Sequence, residues 1–210
     1  MDSQMGLRQK EAPLCEPITL EQAKVFLRID HTEDDHLIRR LIKTARQSIE
    51  SFTGRALIRQ CWTFSLNAGF AYANSDVRYL SRNQSRGERG IELPKSPFLE
   101  LVGPPRMVDN YGERDIQDYR LDTAGRVAHM HLGSSAGKFL QGRGELFVHF
   151  WAGYGEEAED VPEPLRQGIL MALVSLYDGR AAANDLGFMP KPLDEGVIQL
   201  IKPYRAQRAL

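Results

Sequence analysis

The chain has 210 residues, of which 42% are hydrophobic and 26% charged, and its formal net charge is −1. That balance describes an ordinary globular protein of one domain, or one domain with an insertion, and excludes a disordered chain. The near-neutral charge gives no bulk attraction to nucleic acid or anionic membrane, and no apolar run approaches the ~20 residues of a membrane span.

The opening residues, MDSQMGLRQKEAP, lack the basic-then-apolar order of a secretory signal, and 1–17 read as a loose, polar leader. Cys15 and Cys61 show no metal-ligand spacing, and both are expected to be reduced. Pro17 precedes a short predicted helix. In it Thr19 and Gln22 have capping-box spacing, and Leu20, Ala23, Phe26 and Leu27 form a stripe.

A break at Asp30-His31 leads into the central stretch, TEDDHLIRRLIKTARQSIESFTG (32–54). Leu37, Ile38, Leu41, Ile42, Ala45, Ile49 and Phe52 fall on one arc of a helix, with Arg39, Arg40, Lys43, Arg46, Gln47 and Glu50 opposite. Thr32 is the expected cap, the acids Glu33, Asp34 and Asp35 suit the positive end of the dipole, and Gly54 suits a left-handed close. Residues 18–56 thus read as a helical hairpin.

After Gly54 the period changes. Trp62, Phe64 and Leu66 alternate with Thr63 and Ser65, as in a strand. Further strands are predicted at 91–93, 99–102, 106–110, 119–121, 126–132 and 145–151, with Asn110-Tyr-Gly-Glu113 as a hairpin turn. Prolines 94, 97, 104 and 105 keep these strands short or at edges. The segment 81–90, SRNQSRGERG, has no apolar residue and reads as a mobile loop.

Pro164 suits a first turn, and Leu165 to Tyr177 reads as a helix. Leu165, Ile169, Leu173 and Leu176 define one face, Leu170, Val174 and Tyr177 extend it, and Met171 lies nearly opposite. Such a helix is buried on most sides, by its own fold or by a neighbouring subunit. A last helix, Asp194 to Lys202, carries Val197, Leu200 and Ile201 and stops at Pro203. The expected class is α+β: a small antiparallel helical bundle built from both chain ends, with a β-rich insertion (57–153) between the second and third helices and C-terminal helices with a tail over 154–210.

Chemistry is sparse. Gly133-Ser-Ser-Ala-Gly137-Lys138 lacks the spacing of a phosphate-binding loop and reads as a polar turn. His129 and His131 share a strand face, and a neighbouring strand could bring His149 close; three imidazoles can hold zinc, but exposed strand histidines are the plainer reading. The acids Glu156, Glu157, Glu159 and Asp160 lack calcium-loop spacing and suit the third helix dipole and solvent. Arg82, Arg86 and Arg89 could touch phosphates, though no aromatic is interleaved and a solvated loop is the default. No nucleophile motif is present, so no enzymatic activity, cofactor or metal is expected.

Five pieces carry a family resemblance: ITLEQAKVFLRID (18–30), DDHLIRRLIKTARQSIESFTGRALIRQCW (34–62), VHFWAGYG (148–155), DVPEPLRQGILMALVSLYDGR (160–180) and IQLIKPYR (198–205). In order and separation they resemble the head–tail connector, or adaptor, proteins of long-tailed phages and gene transfer agents. The resemblance implies a virion structural protein, made in the bacterial cytoplasm and placed in the particle neck. Copies would form a ring, usually twelvefold, under the portal protein, joined on the tail side to a further connector or stopper, with DNA only passing through and no membrane. Val197, Leu200, Ile201, Tyr204 and Arg205 match the family's portal-docking segment. Thr53, Gly54 and Arg55, and Tyr154 and Gly155, match architectural turns. A closed ring needs two complementary surfaces on each copy, and Met171 and Val174 are the expected inter-subunit residues. The alternatives are a tail-completion or stopper protein of the same fold, or a small metal-dependent enzyme or binding protein using His129, His131 and His149.

Overall fold

The computed structural model describes residues 5–67, 80–82, 89–133, 144–186 and 193–206. The chain divides into two compact units, one of Pro13–Arg59 and Tyr154–Arg205, the other of Met1–Ala12, Gln60–Gly153 and Ala206–Leu210.

The first unit is helical. Helix α1 (Leu20–Leu27) opens with the predicted capping box: Gln22 N donates to Thr19 Oγ1 at 3.2 Å, and Thr19 N donates to Gln22 Oε1 at 3.0 Å. Helix α2 (Asp35–Thr53) starts two residues later than Thr32 would place it, with Asp34 at the N-cap. The Asp34 carboxylate is occupied elsewhere, accepting from the Tyr177 hydroxyl at 2.5 Å. Gly54 closes α2 in the left-handed region at φ 72°, and its N–H donates to Glu50 O at 3.1 Å.

Ile38, Ile42, Ala45 and Ile49 of α2 are buried together with Leu165, Ile169, Ala172 and Leu173 of α3 (Glu163–Leu186) and Val197 and Ile201 of α4 (Glu195–Ile201). Each large aliphatic side chain contributes about 2 kcal/mol gross on burial. The helices approach closely at Gly168, where a Cβ would stand 2.8 Å from Ile201 Cγ2 and 3.3 Å from Ile49 Cδ1.

Arg46 and Glu50, on the polar side of the sequence pattern, are buried instead. Arg46 Nη1 donates to Glu50 Oε2 at 2.7 Å and Nε to Glu16 Oε2 at 2.6 Å. The other Glu50 oxygen accepts from Leu57 N at 2.9 Å. The guanidinium therefore joins the segment before α1 to the turn after α2.

The second unit is made of sheet. A six-stranded antiparallel sheet has the order β1-β2-β10-β6-β7, with β5 also on β10. Its strands are β1 (Met5–Glu11), β2 (Gln60–Asn67), β5 (Phe98–Leu101), β6 (Arg106–Asp109), β7 (Gly112–Asp115) and β10 (Gly144–Ala152). A four-stranded sheet has the order β3-β4-β9-β8, from β3 (Leu80–Arg82), β4 (Arg89–Glu92), β8 (Tyr119–Asp122) and β9 (His129–Leu132).

Strand β10 organises the larger sheet. Leu146, Val148, Phe150 and Ala152 are buried, and the residues between them are half-exposed. Leu66 opposes Leu146, Phe64 opposes Val148 and Trp62 opposes Phe150 across the β2 ladder, the cross-strand pairing that stabilises a sheet. The predicted hairpin forms, with Asp109 opposite Gly112 around Asn110-Tyr111.

The bundle-with-insertion class is overturned. The protein is α+β, but the strands build two antiparallel sheets with a core of their own, and the polar start of the chain supplies β1, paired with β2 from Met5↔Leu66 onward. The physical reason lies in the main chain. Every short run between the prolines carries N–H and C=O groups that must be paired when buried, and sheet pairing satisfies them without a long apolar segment. The ends of the predicted loop 81–90 belong to strands, Leu80–Arg82 pairing with Arg89–Glu92 as β3 and β4; residues 83–88 lie outside the described residues.

Two outcomes follow from this packing. Arg46→Met leaves Glu50 buried without its cation, and urea unfolding should show a loss of about 3 kcal/mol. Glu16→Gln, at a side chain 30% exposed, should cost about 1 kcal/mol or less.

In the sheet unit, His149 Nδ1 lies 2.8 Å from Thr63 Oγ1. Burial first, then the charges of Lys10 and Arg106, hold its imidazole below the usual value of 6.5. The fold therefore favours neutral His149. The corresponding stability is present above about pH 6.5 and lost as pH falls through the depressed folded value. Thermal unfolding from pH 5 to 8 should be less pH-dependent for His149→Gln than for the natural chain.

Candidate functional site

The two turns read as architectural are joined to each other. After α2, Thr53 Oγ1 donates to Ile49 O at 2.7 Å and accepts from Arg55 N at 3.3 Å. Tyr154 N donates to Leu57 O at 3.0 Å, and Arg59 N donates to Gly155 O at 2.7 Å. The Arg55 guanidinium sits 5.8 Å from the centre of the Tyr154 ring and also donates from Nε to the Tyr204 carbonyl. Burial raises the Tyr154 phenol above its ordinary value, with the Arg55 charge acting in the opposite direction. The phenol stays protonated at neutral pH.

The C-terminal segment is fastened at the same place. Asp194 caps α4 by accepting from Val197 N at 2.8 Å. Beyond Ile201 a 3-10 turn spans Lys202–Tyr204, and Arg205 lies 5.5 Å from the centre of the Phe52 ring. Of the five residues matched to a docking segment, Val197 and Ile201 are wholly buried in the helical core. Leu200 and Tyr204 are half-buried against that core, and Arg205 is exposed. Of the matched residues, Leu200, Tyr204 and Arg205 therefore keep accessible side-chain surface.

Helix α3 divides in the same way. Leu165, Ile169, Leu173 and Leu176 are buried, as their spacing predicts. Met171 is half-buried against the core, with Cε 3.5 Å from where a Cβ on Gly196 would stand. Val174 is half-exposed and lies outside the core cluster. Val174 thus differs from Leu170 and Met171, which are packed against that cluster.

The histidines do not converge. His129 and His131 stand on β9 of the smaller sheet, and His149 stands on β10 of the larger. His129 Nε2 lies 3.6 Å from Glu92 Oε1, and His131 is buried, so the expectation of exposed strand histidines is also corrected. Among the described residues, no group of three or more His, Cys, Asp or Glu is placed to hold a metal ion. Cys15 and Cys61 are free thiols. Of the polar turn 133–138, only Gly133 lies within the described residues, its N–H donating to Asp118 O at 2.8 Å.

Charge is unevenly distributed over the helical unit. No acid stands between Asp35 and Glu50, and Arg39, Arg40 and Lys43 are exposed along α2. Ahead of α3, Glu156, Glu157, Glu159 and Asp160 are exposed around a 3-10 turn, Ala158–Asp160. Glu156 lies 3.7 Å from Arg59 Nε, and Asp160 accepts from Glu157 N at 3.0 Å. The helical pattern marked the basic residues as a polar face; their contrast with a separate acidic run was legible in the residue order but not its placement.

Comparison with known proteins bears on surfaces of this kind. Residues 17–92 match the family described as phage gp6-like head–tail connector protein. Among curated proteins, none matches the sequence. A chain in the solved neck of an empty GTA particle, computed with C6 symmetry, is 20% identical and superposes with a TM-score of 0.65 over 98% of this chain and 97% of the other. A chain of the virion of a native gene transfer agent particle is 21% identical, with a TM-score of 0.65 over 97% of each. In the neck of a native GTA particle computed with C12 symmetry, the match is 21% identical at a TM-score of 0.57, covering 98% and 97%. The resemblance first read from the motifs is therefore borne out: residues 17–92 carry the match to the phage gp6-like head–tail connector family, within a fold that nearly the whole chain shares with chains of GTA neck and virion structures.

Proposed function

We propose that the protein is a structural connector of a phage-like particle, a subunit of the ring that joins capsid to tail. The observation that carries this reading is the connector-family match over residues 17–92. The likeness in fold to chains of GTA necks supports it. The surface chemistry agrees: among the described residues the apolar side chains left over by the fold are not gathered around reactive groups, and no metal cluster is present.

In this reading the protein works by being covered. Copies sit side by side in a closed ring, whose head-to-tail contact requires two different surfaces on each copy to be complementary. Val174 and the outer side of Met171 face the neighbouring copy. Leu200, Tyr204 and Arg205 face the portal, and a tail-side connector or stopper closes the other end. A twelvefold ring would surround passing DNA without holding it, because each neutralised phosphate strengthens attachment. The chain is made in the bacterial cytoplasm with the rest of the particle and acts in the neck.

Val174→Asp tests the ring contact, since Val174 lies outside the helical core cluster whereas Met171 packs on α4. The variant should melt within a few degrees of the natural chain, and particles assembled with it should lack joined tails in electron micrographs. Normal necks built from Val174→Asp would overturn the assignment of this face. Particles that join head to tail without the protein would overturn the connector reading itself.

A further inference from the structure

We infer that the basic face of α2 is a docking surface for a second copy of this chain, whose acidic residues ahead of α3 supply the complementary charge. The inference rests on the connector reading and names the chemistry of its ring contact.

Three observations within the helical unit carry it. First, α2 presents an unpartnered basic face. Arg39, Arg40 and Lys43 fall, with His36 and Gln47, within an arc of roughly 100° at 3.6 residues per turn. All five are exposed, and the three basic side chains form no ion pair among the described residues. Lysine and arginine facing solvent on a helix are common. Three of them over five positions, with no acid between Asp35 and Glu50 to balance them, form a concentrated field.

Second, the opposite charge is present on the same unit, with Asp160 also accepting from Glu157 N at 3.0 Å. Glu157, Glu159 and Asp160 are exposed and form no ion pair among the described residues, and Glu156 is 72% exposed and 3.7 Å from Arg59. The whole chain carries −1, so these are not the surplus of an acidic or basic protein but two segregated patches that nearly cancel.

Third, the patches cannot neutralise each other within one copy. Helices α2 and α3 run antiparallel: Tyr177 of α3 reaches Asp34 at the start of α2, and Gly168 lies against Ile49 near its end. The acidic residues precede α3 and therefore lie at the C-terminal end of α2, where Arg59 N meets Gly155 O. Lys43 is ten residues of helix from Thr53, or about 15 Å at 1.5 Å per residue. That exceeds the ~8 Å screening length at physiological salt.

A two-fold contact centred on the basic face would repel, and one centred between the two patches would pair them twice and close at two copies. A head-to-tail contact sets the basic face of one copy against the acids of the next, and repeated around a ring it leaves neither patch uncovered. The geometry favours a sister copy over DNA as the occupant for the same reason: the acids, on the same unit as the basic face, would oppose a polyanion approaching broadly.

The test is charge reversal in particles assembled with the full chain. One variant carries Arg39→Glu, Arg40→Glu and Lys43→Glu; a second carries Glu157→Lys and Glu159→Lys; a third combines both sets in one chain. Circular dichroism and melting establish that each is folded. The expected result is that either set alone reduces ring-bearing necks at least tenfold, while the combined chain restores them, because every interface is then reversed on both sides. Rings isolated from natural particles should dissociate more readily as salt rises from about 50 to about 500 mM.

Either set alone building normal rings would overturn the inference, as would two folded single sets that the combination fails to restore. Loss of duplex-DNA retention by the basic-face variant, with rings intact, would reassign the surface to nucleic acid. If natural particles contain no ring of this chain, the connector reading falls, a result distinct from any of these.

Discussion

A buried guanidinium sets the terms of the helical unit. Arg46 is 2% exposed and lies between two carboxylates, one from the segment leading to α1 and one from its own helix. Burying that charge is tolerable because the equally buried Glu50 pairs with it and spends its other oxygen on the Leu57 amide, while the more exposed Glu16 adds a second contact. The same constraint fixes the chain on both sides of α2. The approach to α1 and the turn that ends α2 must both lie within reach of one side chain. The aliphatic packing of Ile38, Ile42 and Ile49 against α3 supplies most of the favourable burial, whereas the ion network specifies which loops cover it.

The sheet unit obeys a different constraint, the pairing of main-chain groups. Several of its strands are only four residues long, and prolines stand just before β5 and β6. What makes them cohere is β10, long enough to pair β2 along its whole length while β5 and β6 share its other edge. The buried alternation of Leu146, Val148 and Phe150 then gives the larger sheet a single apolar face.

What the monomer leaves exposed explains the functional reading better than any cluster of reactive groups. Two histidines are on one sheet and the third on another, and the cysteines are free. By contrast, Val174, Leu200 and Tyr204 remain partly uncovered, and a basic patch in the N-terminal half of α2 stands apart from the acids ahead of α3. In the ring proposed above, these are the surfaces that assembly would cover. The segment through Arg205 is held by Phe52, Arg55 and the Tyr154 turn, so the surface it offers has a defined shape.

The sequence by itself determined the helices. The Thr19–Gln22 capping box, the 3.6-residue spacing of Ile38, Ile42, Ala45 and Ile49, and the closing Gly54 are local signals, and local hydrogen bonding and burial obey them. It also carried the family resemblance through its motifs. Only the tertiary structure decided that Arg46 and Glu50 are buried, since their spacing on the helix matches that of exposed charges and the covering comes from residues distant in the chain. It alone showed that Met5–Glu11 is a strand, because an edge strand is held by backbone pairing with β2 and needs no apolar pattern of its own. Sheet membership likewise separated His149 from His129 and His131, because strand pairing is a long-range choice that residue spacing within one strand does not encode.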